Sequence, residues 1–85
     1  MNEGVQFGND ALRWRSRRGL LELELLLLRF VTTRLESLGA AEKRIYAELL
    51  EYDDCDLFDW IQGRGAPDDP ALAEMVLAIR AANAA

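Results

Sequence analysis

The stretch LLELELLLLRFVTTRLESL, residues 20–38, decides the fold of this chain. Within it, apolar residues recur at intervals of three and four, at Leu20, Leu23, Leu27, Val31, Leu35 and Leu38. This spacing is typical of an α-helix with one buried face, and we predict a helix over the whole stretch. Four further residues, Leu25, Leu26, Leu28 and Phe30, widen its apolar surface. We therefore expect this helix to lie at the centre of the core.

The same stretch is not expected to enter a membrane. Glu22, Glu24 and Arg29 interrupt the apolar run, which falls short of the ~20 apolar residues needed to span a bilayer. A core helix also accounts for the leucines better than a dimerisation helix does, because their number and spacing suit burial within one small domain. We expect a monomer without membrane insertion.

The flanking sequence predicts four more helices. Asn9 or Asp10 can cap a first helix that runs to about Arg17. Gly39, followed three residues later by Glu42, predicts a third helix from about Ala40. Two more helices are predicted: a fourth helix capped by Asp54, and a last helix capped by Asp69 with Pro70 in its first turn.

The predicted fold class is therefore all-α: a compact bundle of five short helices around a central leucine-rich helix. The length of 85 residues allows one domain and excludes a classical two-domain enzyme. We predict a flexible N-terminal tail over 1–8, a single helical domain over 9–82 and a frayed C-terminus over 83–85.

Charge and residue content exclude several classes of function. Residues 1–34 hold six arginines and four acids, a net charge of +2, whereas residues 35–85 hold four bases and eleven acids, a net charge of −7. A mostly acidic surface repels nucleic acid. The chain has no histidine, and Cys55 is its only cysteine, so we expect no metal site, no internal disulfide and a reducing, cytoplasmic location. No secretory signal is visible at the N-terminus.

Residues 17–22, which we call the corner, combine two cations, a glycine and a carboxylate at the start of the leucine helix. One interpretation is structural: Gly19 ends the first helix, and Glu22 complements the macrodipole of the next one. The other is functional, because the guanidinium groups of Arg17 and Arg18 beside a carboxylate suit the binding of a partner's polar groups. Both interpretations remain open on spacing alone.

A second candidate surface is the acidic segment 48–59, which carries six acids and no base. Such a run is usually a solvated helix face. It can also be part of a docking surface, since exposed charges steer the approach of a partner. Calcium is a poor match for it, because the glycine and the distant glutamate of an EF-hand loop are absent.

Three stretches together resemble the SdhE family, small flavinylation factors for succinate dehydrogenase and fumarate reductase. They are RGLLE at 18–22, EKRIY at 42–46 and DDCDLFDW at 53–60, and the likeness runs from about Trp14 to Ile79. The family pattern R-G-x-x-E falls on Arg18, Gly19 and Glu22. Cys55 departs from the family, many of whose members have proline there; we expect this to alter local rigidity and not function.

The resemblance implies an assembly factor, not an enzyme. Such a factor binds the flavoprotein subunit of succinate dehydrogenase or fumarate reductase and promotes covalent attachment of FAD to a histidine of that subunit, without stably binding FAD itself. The partner-binding residues implied by the family pattern are Arg18, Gly19 and Glu22. A wider set of partner contacts is expected at Trp14, Arg17, Asp53, Asp54, Asp59 and Trp60.

The alternative to an assembly factor is a plain helical interaction module, such as an antitoxin or the regulatory half of a two-protein pair. A generic module does not need both the glycine corner and the acidic aromatic segment, which favours the first reading. Co-purification with a large flavoprotein subunit distinguishes the two.

Overall fold

Five α-helices follow one another along residues 8–84, the part of the chain that the computed structural model describes. They are α1 (Asn9–Arg15), α2 (Leu21–Arg34), α3 (Ala40–Leu49), α4 (Asp54–Ile61) and α5 (Pro70–Asn83). A short 3₁₀ turn, Leu35–Ser37, follows α2. The predicted all-α bundle of five short helices is thereby confirmed. Of the predicted N-terminal tail, only Gly8 lies within the described residues, and the C-terminal Ala85 also lies outside them.

Helix α2 supplies the largest share of the core. Its inner face buries Leu23, Leu27, Phe30 and Val31 almost completely, as the three-and-four spacing predicts. It shares the central position with α5, which packs against α2, α3 and α4. The buried stripe of α5 consists of Leu72, Met75, Val76 and Ile79. Burial of this apolar surface is the main favourable term in folding.

The predicted helix starts at Ala40 and Pro70 are confirmed. Glu42 accepts a hydrogen bond from the Gly39 backbone N–H at 3.0 Å, which is the carboxylate half of a capping box. Asp69 Oδ1 accepts from the Ala71 backbone N–H at 2.9 Å, with proline in the first helical position. Both caps satisfy backbone donors that the helix itself leaves unpaired.

The predicted boundaries of three helices are wrong. The N-cap of α1 is Gly8, not Asn9 or Asp10, and the helix ends at Arg15 because Ser16 turns its side chain into the core. The N-cap of α4 is Asp53, not Asp54, whose carboxylate binds an arginine instead of a backbone N–H. The leucine helix ends at Arg34, and the last apolar positions before residue 39 lie in and after the 3₁₀ turn.

The C-terminal end of α5 is hydrogen-bonded to α2. Helix α5 continues through Asn83, one residue beyond the expected end of the domain. The Asn83 side-chain amide donates to the carbonyl oxygens of Leu26 at 3.0 Å and Ile79 at 2.9 Å, which ties the end of α5 to α2. Within residues 8–84, no helix combines the length and the apolar character that crossing a bilayer requires.

Candidate partner-docking site

Arg18 is the hub of the corner, and its side chain points into the protein. Its Nε donates to Asp54 Oδ1 at 2.8 Å, and Nη1 donates to the Arg15 carbonyl at 2.9 Å. Nη2 donates to the carbonyls of Leu50 and Tyr52, both at 3.1 Å. The Arg18 side chain is only 15% exposed. It therefore joins the chain before α2 to the segment between α3 and α4.

The Glu24 carboxylate binds the two arginines of the corner. One carboxylate oxygen accepts from the Arg18 backbone N–H at 2.8 Å, and the other accepts from Arg17 Nε at 3.2 Å. Like Arg18, the Glu24 side chain is only 15% exposed. A carboxylate that accepts both a backbone N–H and a guanidinium N–H makes charge-assisted bonds, which are stronger than neutral ones. Glu24 thus fixes the path of the chain between residue 18 and the first turn of α2.

A buried hydroxyl pair holds α1 against α3. Ser16 Oγ donates to the Leu12 carbonyl at 2.8 Å, so the Tyr46 hydroxyl donates to Ser16 Oγ at 2.6 Å. Both side chains are fully buried. Burial raises the pKa of Tyr46 to about 12, and the positive charges of Arg18 and Arg15 oppose this rise only in part.

Arg15 adds a surface contact beside this buried pair. Its Nη2 donates to the Ala47 carbonyl at 3.2 Å and to Glu51 Oε2 at 2.6 Å. The arginines at 15 and 18 are therefore both used to attach the N-terminal segment to the end of α3. This explains why the short helix α1 stays in place.

Gly19 and Glu22 are the two members of the family pattern that the fold leaves unused. Gly19 lies four residues beyond the end of α1 and does not have a positive φ, so it does not terminate that helix. A Cβ built on it meets no atom within 4 Å apart from its chain neighbours. Glu22 is exposed in the first turn of α2, as predicted, and within residues 8–84 its carboxylate has no hydrogen bond or ion pair.

Trp14 lies beside the corner with its side chain in solvent. It is 73% exposed, and the Arg17 guanidinium lies 6.0 Å from its ring centroid. Trp14 and Arg17 line a shallow groove between α1 and α2 together with Glu24 and Leu28. An exposed tryptophan is uncommon on a free surface and typical of a contact with another protein.

Only part of the acidic segment contacts the corner. Asp54 reaches it through Arg18, whereas Asp59 pairs with Arg64, at 3.1 Å from its Nη2. Asp53 is exposed and makes no side-chain cap bond. Trp60 is partly buried and packs edge-to-face on Tyr52, with ring centroids 5.2 Å apart. The contribution of these four residues to partner binding stays a prediction.

Sequence reasoning missed the residues that support the corner: Arg15, Ser16, Glu24 and Tyr46. A signal existed for Tyr46, since a tyrosine on the inner face of a helix needs a partner for its hydroxyl. No local signal distinguishes Glu24, which turns toward the corner, from Glu22, which does not. Within the described residues, no group of three carboxylate or thiol side chains is placed to hold a metal ion.

Comparison with known proteins agrees with the resemblance carried by the sequence. The family model described as "Flavinator of succinate dehydrogenase" matches residues 10–83. The chain is 39% identical over 82 residues to the FAD assembly factor SdhE of Yersinia pseudotuberculosis, covering 95% of this chain and 93% of that protein.

Two further relatives bear the same name. Identity is 43% over 65 residues to the FAD assembly factor SdhE of Aliivibrio fischeri, with 76% of each chain covered. It is 45% over 65 residues to that of Pseudomonas aeruginosa, covering 76% of this chain and 77% of the relative. The chain belongs to the SdhE family of FAD assembly factors, the flavinators of succinate dehydrogenase.

Proposed function

We propose that this chain is an assembly factor that assists attachment of FAD to the flavoprotein subunit of succinate dehydrogenase, and that it docks on that subunit through Gly19 and Glu22. The names of its relatives describe helpers of flavin assembly, not enzymes in their own right. Membership of this family favours the assembly factor over the antitoxin or regulatory module. We place the protein in the cytoplasm as a monomer and extend its partners to the related flavoprotein of fumarate reductase.

One observation supports the proposed docking site. The Glu22 carboxylate is exposed and unpaired within residues 8–84, while the neighbouring charged side chains of Arg18 and Glu24 make hydrogen bonds within the chain. A partner that donates to Glu22 therefore breaks no bond of the folded protein. The open space above Gly19 lets the partner's backbone approach this point without meeting a side chain.

Docking of this kind promotes attachment by positioning, not by proton transfer from this chain. A covalent bond between the flavin and an amino acid of the subunit needs both groups to be held in one geometry, and such alignment can lower a barrier by several kcal/mol. A small rigid protein that binds one arrangement of the subunit's domains raises the population of that arrangement. Because this chain has no histidine, we assign the acceptor histidine to the partner.

The test separates folding from activity. The chain is co-expressed with the flavoprotein subunit in cells that lack their own factor, and covalent flavin is read by fluorescence after denaturing electrophoresis. We expect Glu22→Gln to melt as the wild type does and to reduce covalent flavin at least about tenfold, because the partner's donors lose a charged acceptor worth ~1.5–3 kcal/mol. Gly19→Ala should also fold normally and act in the same direction.

Glu74→Gln is the matched control. Glu74 is also exposed, and it lines a groove with Arg34 and Leu38 at the opposite end of α2. This variant should support attachment as well as the wild type does. Normal covalent flavin with folded Glu22→Gln would refute the docking site, and no effect of the wild-type chain on covalent flavin would refute the proposed function.

A further inference from the structure

The outer face of α2 carries leucines that the core does not use. Leu21 and Leu25 are 64% and 58% exposed, although they lie one turn apart on the central helix of the domain. The inner face of the same helix is complete without them, since Leu23, Leu27 and Phe30 fill it. Exposed leucines that adjoin one another on a small monomer are typical of a protein contact.

These leucines are continuous with the corner. Leu21 and Leu25 lie two and six residues after Gly19, and Glu22 precedes Leu25 by one helical turn. Leu28, one turn beyond Leu25, lines both the groove that holds Trp14 and a second groove beside Leu25. Three of the five large exposed apolar side chains in residues 8–84, Trp14, Leu21 and Leu25, therefore lie around one surface.

Two charges of opposite sign, both unpaired in the described part of the chain, border this apolar face. Glu22 lies on one side of Leu25 in sequence and Arg29 on the other, at spacings that keep the three near one face of the helix. Like Glu22, Arg29 is exposed, and its side chain has no hydrogen bond or ion pair within the described residues. At a rise of 1.5 Å per residue, the two charges lie roughly 10 Å apart along the helix axis.

We propose that Leu21, Leu25 and Arg29 extend the docking surface of the corner along α2, and that the flavoprotein subunit covers them. This rests on the proposed function. The chemistry of the face defines what the subunit must present there: an apolar patch, a basic group opposite Glu22 and an acidic group opposite Arg29. Glu22 belongs to both the corner and the apolar face of α2. A partner that binds the corner therefore also contacts this face.

A second copy of the chain is the main competing occupant. Two α2 helices packed antiparallel would place Glu22 of each copy near Arg29 of the other and would bring their Leu25 side chains together. That arrangement would cover Glu22 and so compete with the partner of the corner. We therefore assign the face to the flavoprotein subunit and make self-association an outcome of the test.

The experiment compares two leucines of equal exposure. Leu25 and Leu77 are both 58% exposed, but Leu77 lies on α5 and lines none of the grooves around the corner. Purified wild type, Leu25→Ser and Leu77→Ser are titrated calorimetrically against the purified flavoprotein subunit. We expect Leu25→Ser to weaken binding about tenfold, because an apolar contact is lost, and Leu77→Ser to bind within about twofold of the wild type. Both variants should melt as the wild type does.

A charge reversal tests the order of charges along the face. Arg29→Glu should slow association with the subunit about threefold or more at low salt, and the difference should shrink at high salt because exposed charges act mainly on the rate of encounter. Equal association rates at both salt concentrations would contradict the acidic group that we place opposite Arg29.

Each remaining outcome has a distinct meaning. Unchanged affinity for folded Leu25→Ser would overturn the extension along α2, while wild-type binding and covalent flavin would still support the proposed function. Failure of the wild-type chain both to bind the subunit and to raise covalent flavin would refute the proposed function itself. A wild-type dimer in sedimentation that Leu25→Ser converts to a monomer would assign the face to a second copy and overturn the proposal.

Discussion

Replacing Arg18 with alanine should destabilise the fold before it affects any partner. The guanidinium makes four hydrogen bonds to acceptors on three separate segments: Asp54, the Arg15 carbonyl, and the carbonyls of Leu50 and Tyr52. The side chain of Asp54 is 31% exposed, so water can compensate part of the loss at that carboxylate. The bond to the Tyr52 carbonyl is also exposed, whereas the Arg15 and Leu50 carbonyls are part-buried and have less access to replacement donors.

The magnitude follows from these contacts. A net contribution of roughly 1 kcal/mol for each hydrogen bond, reduced where water can replace the donor, gives a loss of about 3 kcal/mol in the free energy of unfolding. For a domain of this size, 1 kcal/mol lowers the melting temperature by roughly 4–8 °C. We therefore expect Arg18→Ala to melt roughly 12–24 °C below the wild type.

The assay is urea and thermal unfolding followed by circular dichroism. Arg17→Ala is the control, because Arg17 is 57% exposed and its side chain makes a single hydrogen bond within residues 8–84, to Glu24. This variant should lose no more than about 1 kcal/mol. Arg18→Lys should recover part of the stability, since one ammonium group cannot reach all four acceptors. A wild-type melting curve for Arg18→Ala would refute the structural role of Arg18. Its guanidinium would then be interpreted as a contact with the partner.

Two further predictions concern the buried core. Leu27→Ala should cost about 2–5 kcal/mol in urea unfolding, because Leu27 is fully buried on the inner face of α2; an unchanged midpoint would mean that it faces solvent. The second concerns Tyr46, whose pKa burial raises to about 12. The unfolded chain loses this proton near pH 10, so the stabilisation is complete below that pH and is lost as the pH rises to about 12. Relative to Tyr46→Phe, the wild type should lose about 2–3 kcal/mol across this window, and parallel pH profiles would contradict the buried phenol.

The helices could be predicted from the sequence because spacing decides which side chains are buried. Leu23, Leu27 and Val31 face the core as their period requires. The end of α1 could not be predicted, because it depends on the contact of Ser16 with Tyr46, thirty residues away in the chain. Local propensity carries no information about such a pairing.

Residue spacing also made part of the candidate site predictable. Spacing identified the corner, and it placed Arg18, Gly19 and Glu22 together. It could not separate their roles, because the contact that turns Arg18 inward is made with Asp54, thirty-six residues further along. Nor could it show that Glu24 supports the corner while Glu22 has no bonding partner in residues 8–84, since both acids lie in the first turn of the same helix.

The bond from the Arg18 backbone N–H to Glu24 has a consequence for the thermodynamics of association. It closes a ring of residues 18–24, so Gly19 and Glu22 are already ordered in the unbound protein. Fixing the backbone of a mobile segment costs roughly 1–2 kcal/mol per residue, and a loop that is ordered beforehand avoids this cost on binding. The docking that we propose at Gly19 and Glu22 therefore avoids the cost of ordering this segment.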